Sequence, residues 1–297
     1  LFNGFQLGIL LFLLAAGLTL VFGIMDLMNL AHGSLYMMGA YFAATVTLAT
    51  DSFLLGIIAA MPATLLLGML LEVTILRKLY DRGHLDQVLA TFGMILFFNE
   101  LVRLVWGPEG IEVALPDFLN QSVTVFEVPL PMYRIVIIVV GLLVAALIYL
   151  LVAKTRTGML IRAGASNREM VGALGVDIKL VFTLVFGLGA ALAALAGALA
   201  GPIFAVTIGM GEHILIQVLV VIVIGGIGSI RGAFVGAILI GVIDVLGRSF
   251  LDSLFKLFLP VNTAETAAPA VASMLIYILM AAVLFFRPQG LFPARTG

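Results

Sequence analysis

The sequence predicts an all-α, polytopic integral membrane protein. It reads as eight or nine transmembrane helices, some broken at Gly-rich points, with a short helix on the cytoplasmic side, all within a single transmembrane domain over residues 1–297. Two observations carry this. First, 63% of the residues are hydrophobic and only 10% charged, where a soluble domain carries about 25% charged residues; mean hydropathy is +1.26. Second, the apolar residues are contiguous. Stretches 1–25, 27–50, 53–71, 135–153, 180–211, 213–230 and 266–286 contain no Asp, Glu, Lys or Arg, and about 20 mainly apolar residues cross the hydrocarbon core as a helix.

In chain order the spans fall near 5–24, 33–50, 53–76, 88–106, 132–153, 180–201, 214–230, 232–250 and 270–286. The first reads as a span and not a cleaved signal. It lacks a basic n-region and an A-x-A site, and the next apolar run follows Asp26 closely. Segments 25–34 and 203–231 are where a broken or re-entrant helix is expected, a feature tolerated only where protein or a cavity covers the backbone. Orientation follows from charge. Arg77, Lys78 and Arg82 lie in one connection, Lys154, Arg156, Arg162, Arg168 and Lys179 in another, and Arg287 and Arg295 in the tail. By contrast, 107–131 holds Glu109, Glu112, Asp117 and Glu127 with no Lys or Arg. The positive-inside rule places the basic segments in the cytoplasm and the acidic one outside. Nine spans with the N-terminus outside satisfy this parity, as do eight with one re-entrant segment.

Among the 32 glycines, Gly187, Gly189, Gly197 and Gly201, with their alanine neighbours, read as close-packing faces, because small residues let helix backbones approach in lipid. Two other Gly-rich stretches resemble each other: Met28–Tyr41 (MNLAHGSLYMMGAY) and Gly225–Ile238 (GGIGSIRGAFVGAI). Gly33-Ser34 aligns with Gly228-Ser229. Internal repeats with broken helices mark transporter pathways, so Asn29, His32, Gly33, Ser34, Gly225, Gly226, Gly228 and Ser229 are candidates for a translocation pathway or gate. The alternative is a pair of ordinary turns, with Asn29 or Ser34 capping the helix that begins there and Asp26 at the interface. Glu100 with Arg103, and Asp244 with Arg248, stand three and four apart and read as intrahelical pairs. Glu72, one turn from Arg77, is expected to reach the interface. Glu212, His213 and Gln217 read as the outer end of a span.

Several functions are disfavoured. Net charge is −1, so no basic surface suggests nucleic acid. There is no cysteine, hence no disulfide and no thiolate metal site. His32, His84 and His213 are scattered, and no Walker A, G-x-S-x-G or H-E-x-x-H pattern occurs. No cofactor or metal is expected on this chain, and uphill movement of a solute would need energy from another subunit. An ion-coupled carrier or channel would call for mid-membrane carboxylates, which are few; a membrane enzyme would call for a nucleophile or metal set.

The connection Lys154–Val176 is too polar to span. Met159–Ala163 and Glu169–Leu174 have helical composition, Ser166 or Asn167 is an N-cap, and Gly175 is a C-terminal stop. Together, Asn29–Ser34 (NLAHGS), the Arg-Thr-Gly segment Arg156–Val176, Gly225–Ser229 (GGIGS), Thr91–Met94 (TFGM) and Arg287–Phe292 (RPQGLF) resemble the permease subunits of branched-chain amino acid ABC transporters, closest to the LivH type. The resemblance runs in order over nearly the whole chain. It implies a multi-pass subunit of the bacterial inner membrane, in contact with lipid. Its implied partners are a second, homologous permease of the LivM type, two cytosolic ATPases that carry ATP and Mg, and a periplasmic substrate-binding protein docking near 107–131 and Glu212. Arg162–Gly175 would be the coupling helix that meets an ATPase, through Arg162, Ala163, Gly164, Ala165, Ser166, Asn167, Glu169 and Gly175. Here Gly164-Ala165-Ser166 replaces more charged residues of the family. Related permeases carry urea, short amides or aromatic acids.

Overall fold

The computed structural model describes residues 1–125 and 128–292. Glu127 and Arg295, used above for orientation, lie outside the described residues, as does the Arg168 side chain. The described chain contains α1 (Phe2–Met25), α2 (His32–Thr50), α3 (Phe53–Thr74), a 3-10 turn (Leu76–Leu79), α4 (His84–Trp106), α5 (Met132–Lys154), α6 (Arg156–Ser166), α7 (Arg168–Ala173), α8 (Ile178–Phe204), α9 (Met210–Gly225), α10 (Ile230–Phe255) and α11 (Val261–Phe286). The segments read as eight or nine spans overlap α1–α5 and α8–α11, although 214–230 runs past Gly225, where α9 ends, into a turn. Seven of these are long and apolar enough to cross a membrane. The other two are α9, with 16 residues, and α2, which carries His32, Ser34, two tyrosines and three threonines.

The sequence reading omitted one element. Strands β1 (Ser122–Val125) and β2 (Val128–Pro131) pair antiparallel, Ser122 opposite Pro131, beyond the outer end of α4. Alternation of small polar and β-branched residues in Ser122-Val-Thr-Val is a strand pattern, too short to register against the apolar helices. The same outer loop is tied down by a bridge between Ile111 and Val206.

Burial separates a central core from a shell. In α1, 83% of the most apolar window is buried and in α8 78%, against 17% in α5 and 11% in α11. A helix apolar on every side is a buried helix, and α1 packs against α5, α8, α9 and α10. Because lipid supplies little drive to associate, close backbone approach does the work. Gly4 and Gly8 of α1 meet Ala237 and Gly241 of α10: a methyl group at Gly4 would lie 2.8 Å from the Val242 Cα, and one at Gly8 2.8 Å from the Ala237 carbonyl oxygen. Lower on α1, a methyl at Gly17 would lie 2.7 Å from the Gly189 oxygen of α8. The glycines of α8 serve three neighbours: Gly189 faces α1, Gly197 faces Tyr36 of α2, and Gly187 faces Met69 of α3.

Local signals fix the helix starts. Ser52, Thr155, Asn167, Asp177 and Ser229 cap α3, α6, α7, α8 and α10 through their side-chain oxygens. The expected caps of α2 do not form. Ala31 holds that position without a side-chain bond, and Asp26 instead ends α1 in the left-handed region at φ 50°.

Gly17→Val should therefore lower the thermal midpoint of the solubilised protein, by an overpacking cost of about 1–3 kcal/mol or more. Gly93→Ala, where no atom lies within 4 Å of the added methyl, should leave the midpoint unchanged in the same fluorescence size-exclusion assay.

Candidate functional site

The connection between α1 and α2 is not a turn. The Met28 N–H donates to Gln87 Oε1 at 3.1 Å, beside the first turn of α4. Five residues later, Gly33 lies against Gly211 and Leu215 in α9, whose start adjoins the outer loop bridged by Ile111 and Val206. Residues 26–31 thus climb through the bundle, and α2 begins inside it. Lipid could not satisfy this non-helical backbone, so protein must enclose it, and Asn29, His32 and Ser34 are all buried.

Their polar atoms are left open. Both amide atoms of Asn29, both ring nitrogens of His32 and Thr19 Oγ1 are buried without a well-formed hydrogen bond. The His32 ring lies beside the Leu14 carbonyl and fills the space that Gly17 leaves, where a methyl would come 3.0 Å from Nε2. Buried polar groups in a membrane protein normally pair, and exceptions mark solute or water pathways.

A cavity lies at each end of this segment. The outer one, ≈ 530 Å³, is bounded by the starts of α1, α5 and α9, the end of α8 and the middle of α10, with Tyr36 in its wall. Tyr36 stands one helical turn beyond His32. The inner cavity, ≈ 690 Å³, is lined by Asp26, the 80–87 segment and the α6–α7 junction. Residues 26–36 therefore connect the two cavities, with Asn29 and His32 between.

The second Gly-rich stretch is a different object. Gly225–Ser229 is a tight turn between α9 and α10, in which Gly226 (φ 105°) and Gly228 (φ 79°) hold left-handed backbone and Ser229 Oγ accepts from the Gly232 N–H. The tail closes over it: the Leu291 and Phe292 N–H groups donate to Ile224 and Gly225 at 2.8 and 2.9 Å. Gly290, at φ 81°, allows this close approach to Gly226. The structure does not bring Gly225, Gly226, Gly228 and Ser229 together with Asn29, His32, Gly33 and Ser34. The two groups lie at opposite ends of α9, so the sequence likeness reflects shared glycine use and not a shared site.

The basic connection after α5, expected in the cytoplasm, is two helices broken at Asn167. Asn167 Oδ1 accepts from the Met170 N–H at 2.9 Å, so Asn167 caps α7 while Ser166 ends α6. Gly175 has φ 86°. Gly164 is buried against Ile178 and Ile24, Ala163 is half-buried, and Arg162 donates back to the Val152 carbonyl at the end of α5. Ala165, Ser166, Asn167 and Glu169 are exposed, and so are two large apolar side chains that the sequence reading left out, Met170 and Leu174.

Glu72 departs most from expectation. It does not reach the interface; it is fully buried. Arg77 donates to both its oxygens at 3.1 and 2.9 Å, the Tyr80 hydroxyl donates at 2.7 Å, and the Thr183 hydroxyl at 2.6 Å. Burial and the neighbouring carboxylate push the Tyr80 hydroxyl well above its ordinary value, so it stays a donor. This cluster ties α3 to α8 next to α6 and α7. A Glu five residues before an Arg is a weak helix-pair signal, and nothing local to it points to Tyr80 or to Thr183, 111 positions away. At the outer end, Glu212 is half-buried and accepts from Asn99 at 2.5 Å. The pairs Glu100–Arg103 and Asp244–Arg248 form, at 2.8 and 2.9 Å. Among the described residues, no group of three or more His, Asp or Glu could hold a metal ion.

Arg77→Ala should destabilise the protein more than Glu72→Gln. The first leaves a buried carboxylate without its cation, which costs about 3–5 kcal/mol; the second removes charge and leaves polar partners, at about 1–3 kcal/mol. Thermal midpoints of the two variants, compared with Glu100→Gln on the exposed pair, check the order.

The chain was compared with known proteins. A permease protein named for high-affinity branched-chain amino acid transport, BraD of Pseudomonas aeruginosa, is 32% identical over 304 aligned positions, covering 97% of this chain and 93% of that protein. LivH of Salmonella typhimurium is 32% identical, covering 86% and 87%. A probable LivH of the archaeon Methanocaldococcus jannaschii is 26% identical, covering 95% and 88%. No solved structure matches the chain. Residues 1–284 match the family described as branched-chain amino acid transport system / permease component. With its long apolar helices, the chain is a multi-pass membrane protein, and it belongs to that permease family.

Proposed function

We propose that this permease imports branched-chain amino acids or similar small amphipathic solutes along the route traced by residues 26–36, as one half of an ABC importer. The observation that carries this is the enclosed break between two cavities, with Asn29 and His32 unpaired at its centre. Nine helices cross, with the N-terminus outside. α2 and α9 are the short or polar members, tolerable because protein surrounds them. Asn29 and His32 lend passing solute or water hydrogen bonds that the resting protein leaves unused. Gly33 lets α2 pass close to α9. Gly225, Gly226, Gly228 and Ser229, sealed by the tail, act as a fixed corner.

Energy comes from partners. Two cytosolic ATPases, holding ATP and Mg, dock on α6 and α7, where Ala165, Ser166, Asn167, Glu169, Met170 and Leu174 form an exposed surface with apolar anchors. A second permease of the LivM type completes the pair, and a periplasmic binding protein delivers solute near 107–131. Of the coupling residues, Gly164 and Arg162 hold α6 to α1 and α5. Asp177 caps α8 directly after α7, and Thr183 passes motion of α8 to α3 through Glu72. The inner cavity lies between the α6–α7 junction and the 80–87 segment. A displacement of one against the other would open or shut it, giving two states biased by nucleotide on another subunit.

The chain has no cysteine, so Ser166→Cys provides a single thiol. It should cross-link to a co-expressed ATPase subunit in inner-membrane vesicles, while a thiol placed at Asp51 should not. Binding-protein-dependent leucine uptake should fall at least tenfold in His32→Ala with ATPase activity retained. Leucine flux in liposomes containing this chain alone would overturn the reading.

A further inference from the structure

We infer that the outer cavity is a binding site for a free amino-acid zwitterion inside this protomer, resting on the importer reading above. The lining carries both signs of charge around an apolar pocket. Arg134, at the start of α5, donates to Asn3 and pairs with no carboxylate among the described residues. Arg134 is half-buried as a residue and lines the cavity, where its guanidinium fork suits a ligand carboxylate. The same lining contains Asp244, only 3% exposed. Its Oδ1 accepts twice from Arg248, at 3.1 and 2.9 Å, whereas Oδ2 accepts once, at 3.0 Å. Oδ2 keeps acceptor capacity for a ligand ammonium, and Gln217 is a further polar residue of the lining.

Much of the rest of the wall is apolar, with Leu7, Leu10, Met210, Ile214 and Val245, and His213 and Thr207 add polar groups. A volume of ≈ 530 Å³ is in the range of small-ligand sites. Arg248 and Asp244 offset each other, so among the described residues the lining keeps the Arg134 guanidinium as an uncompensated cation, with the His213 imidazole and the spare Oδ2 acceptor of Asp244 also in the wall. That set suits a ligand whose carboxylate meets Arg134 and whose ammonium meets the spare Asp244 oxygen, two contacts that a simple anion or amine makes only one of. Gln6 is nearly buried at 5% exposure and the cavity wall includes Tyr36, which leads directly to His32. Solute released from a binding protein would thus be held before it meets the break.

Equilibrium binding of tritiated leucine to the assembled transporter in nanodiscs, without binding protein, tests this. Saturable binding is expected. Unlabelled leucine should displace it, and 3-methylbutylamine (no carboxylate) and 4-methylpentanoate (no ammonium) should not at tenfold higher concentration. Arg134→Gln and Asp244→Asn should each weaken it tenfold or more. Because Asp244→Asn disturbs an ion pair, Val245→Trp, which fills the cavity, gives an independent loss. Absence of saturable binding in an assembly whose ATPase activity responds to the binding protein would overturn the inference and leave the importer reading standing, as would binding indifferent to both Arg134→Gln and Val245→Trp. An assembly that recruits no ATPase would instead defeat the importer reading, and this inference with it.

Discussion

Lipid offers no hydrogen bonds, and every non-helical backbone group in the membrane must be enclosed by protein. The arrangement of this chain follows from that constraint at one place, the break between α1 and α2. Six residues of irregular backbone, 26–31, rise from the level of Gln87 to that of Gly211. To enclose them the protein surrounds α2 with α3, α4, α8 and α9 and drives α1 and α8 into the centre. A central bundle of this kind requires close-set backbones, hence the glycines of α1, α8 and α10, where even a methyl would collide.

Enclosure has a chemical consequence. A segment wrapped in protein can keep polar side chains that lipid would expel, and it keeps Asn29, His32 and Ser34. The unsatisfied atoms of Asn29 and His32 raise the cost of this conformation, which is tolerable if water or solute meets them in another. The paired polar cluster at Glu72 is the opposite case. Its carboxylate is saturated by Arg77, Tyr80 and Thr183, and such saturation makes a rigid joint, well placed beside α6 and α7 to carry displacement into the bundle.

The two cavities differ in character along the same axis. The outer one has mainly aliphatic walls with a few converging charges; the inner one is formed by loops and short helices around Asp26, Asp81 and Glu169. A hydrophobic solute would rest in the first and leave through the second. The exposed Met170 and Leu174 lie outside the long apolar helices, so a lipid-facing position does not account for them.

Sequence by itself determined that the chain crosses a membrane, roughly where its long helices lie, and that a short helix opens at Ser166 or Asn167 and stops at Gly175. These follow from local quantities: run length, charge, a capping side chain, a residue free to adopt positive φ. Its motifs also placed the chain in its family. Only the tertiary structure decided that Asn29–Ser34 lies between cavities while Gly225–Ser229 is a sealed corner, for both read alike as glycine, serine and apolar residues. It also decided that Glu72 is a buried hub and that Arg134 and Asp244 share a cavity. Those outcomes depend on which residues, a hundred positions apart, meet when helices cross, and nothing in a local window encodes a meeting of that kind.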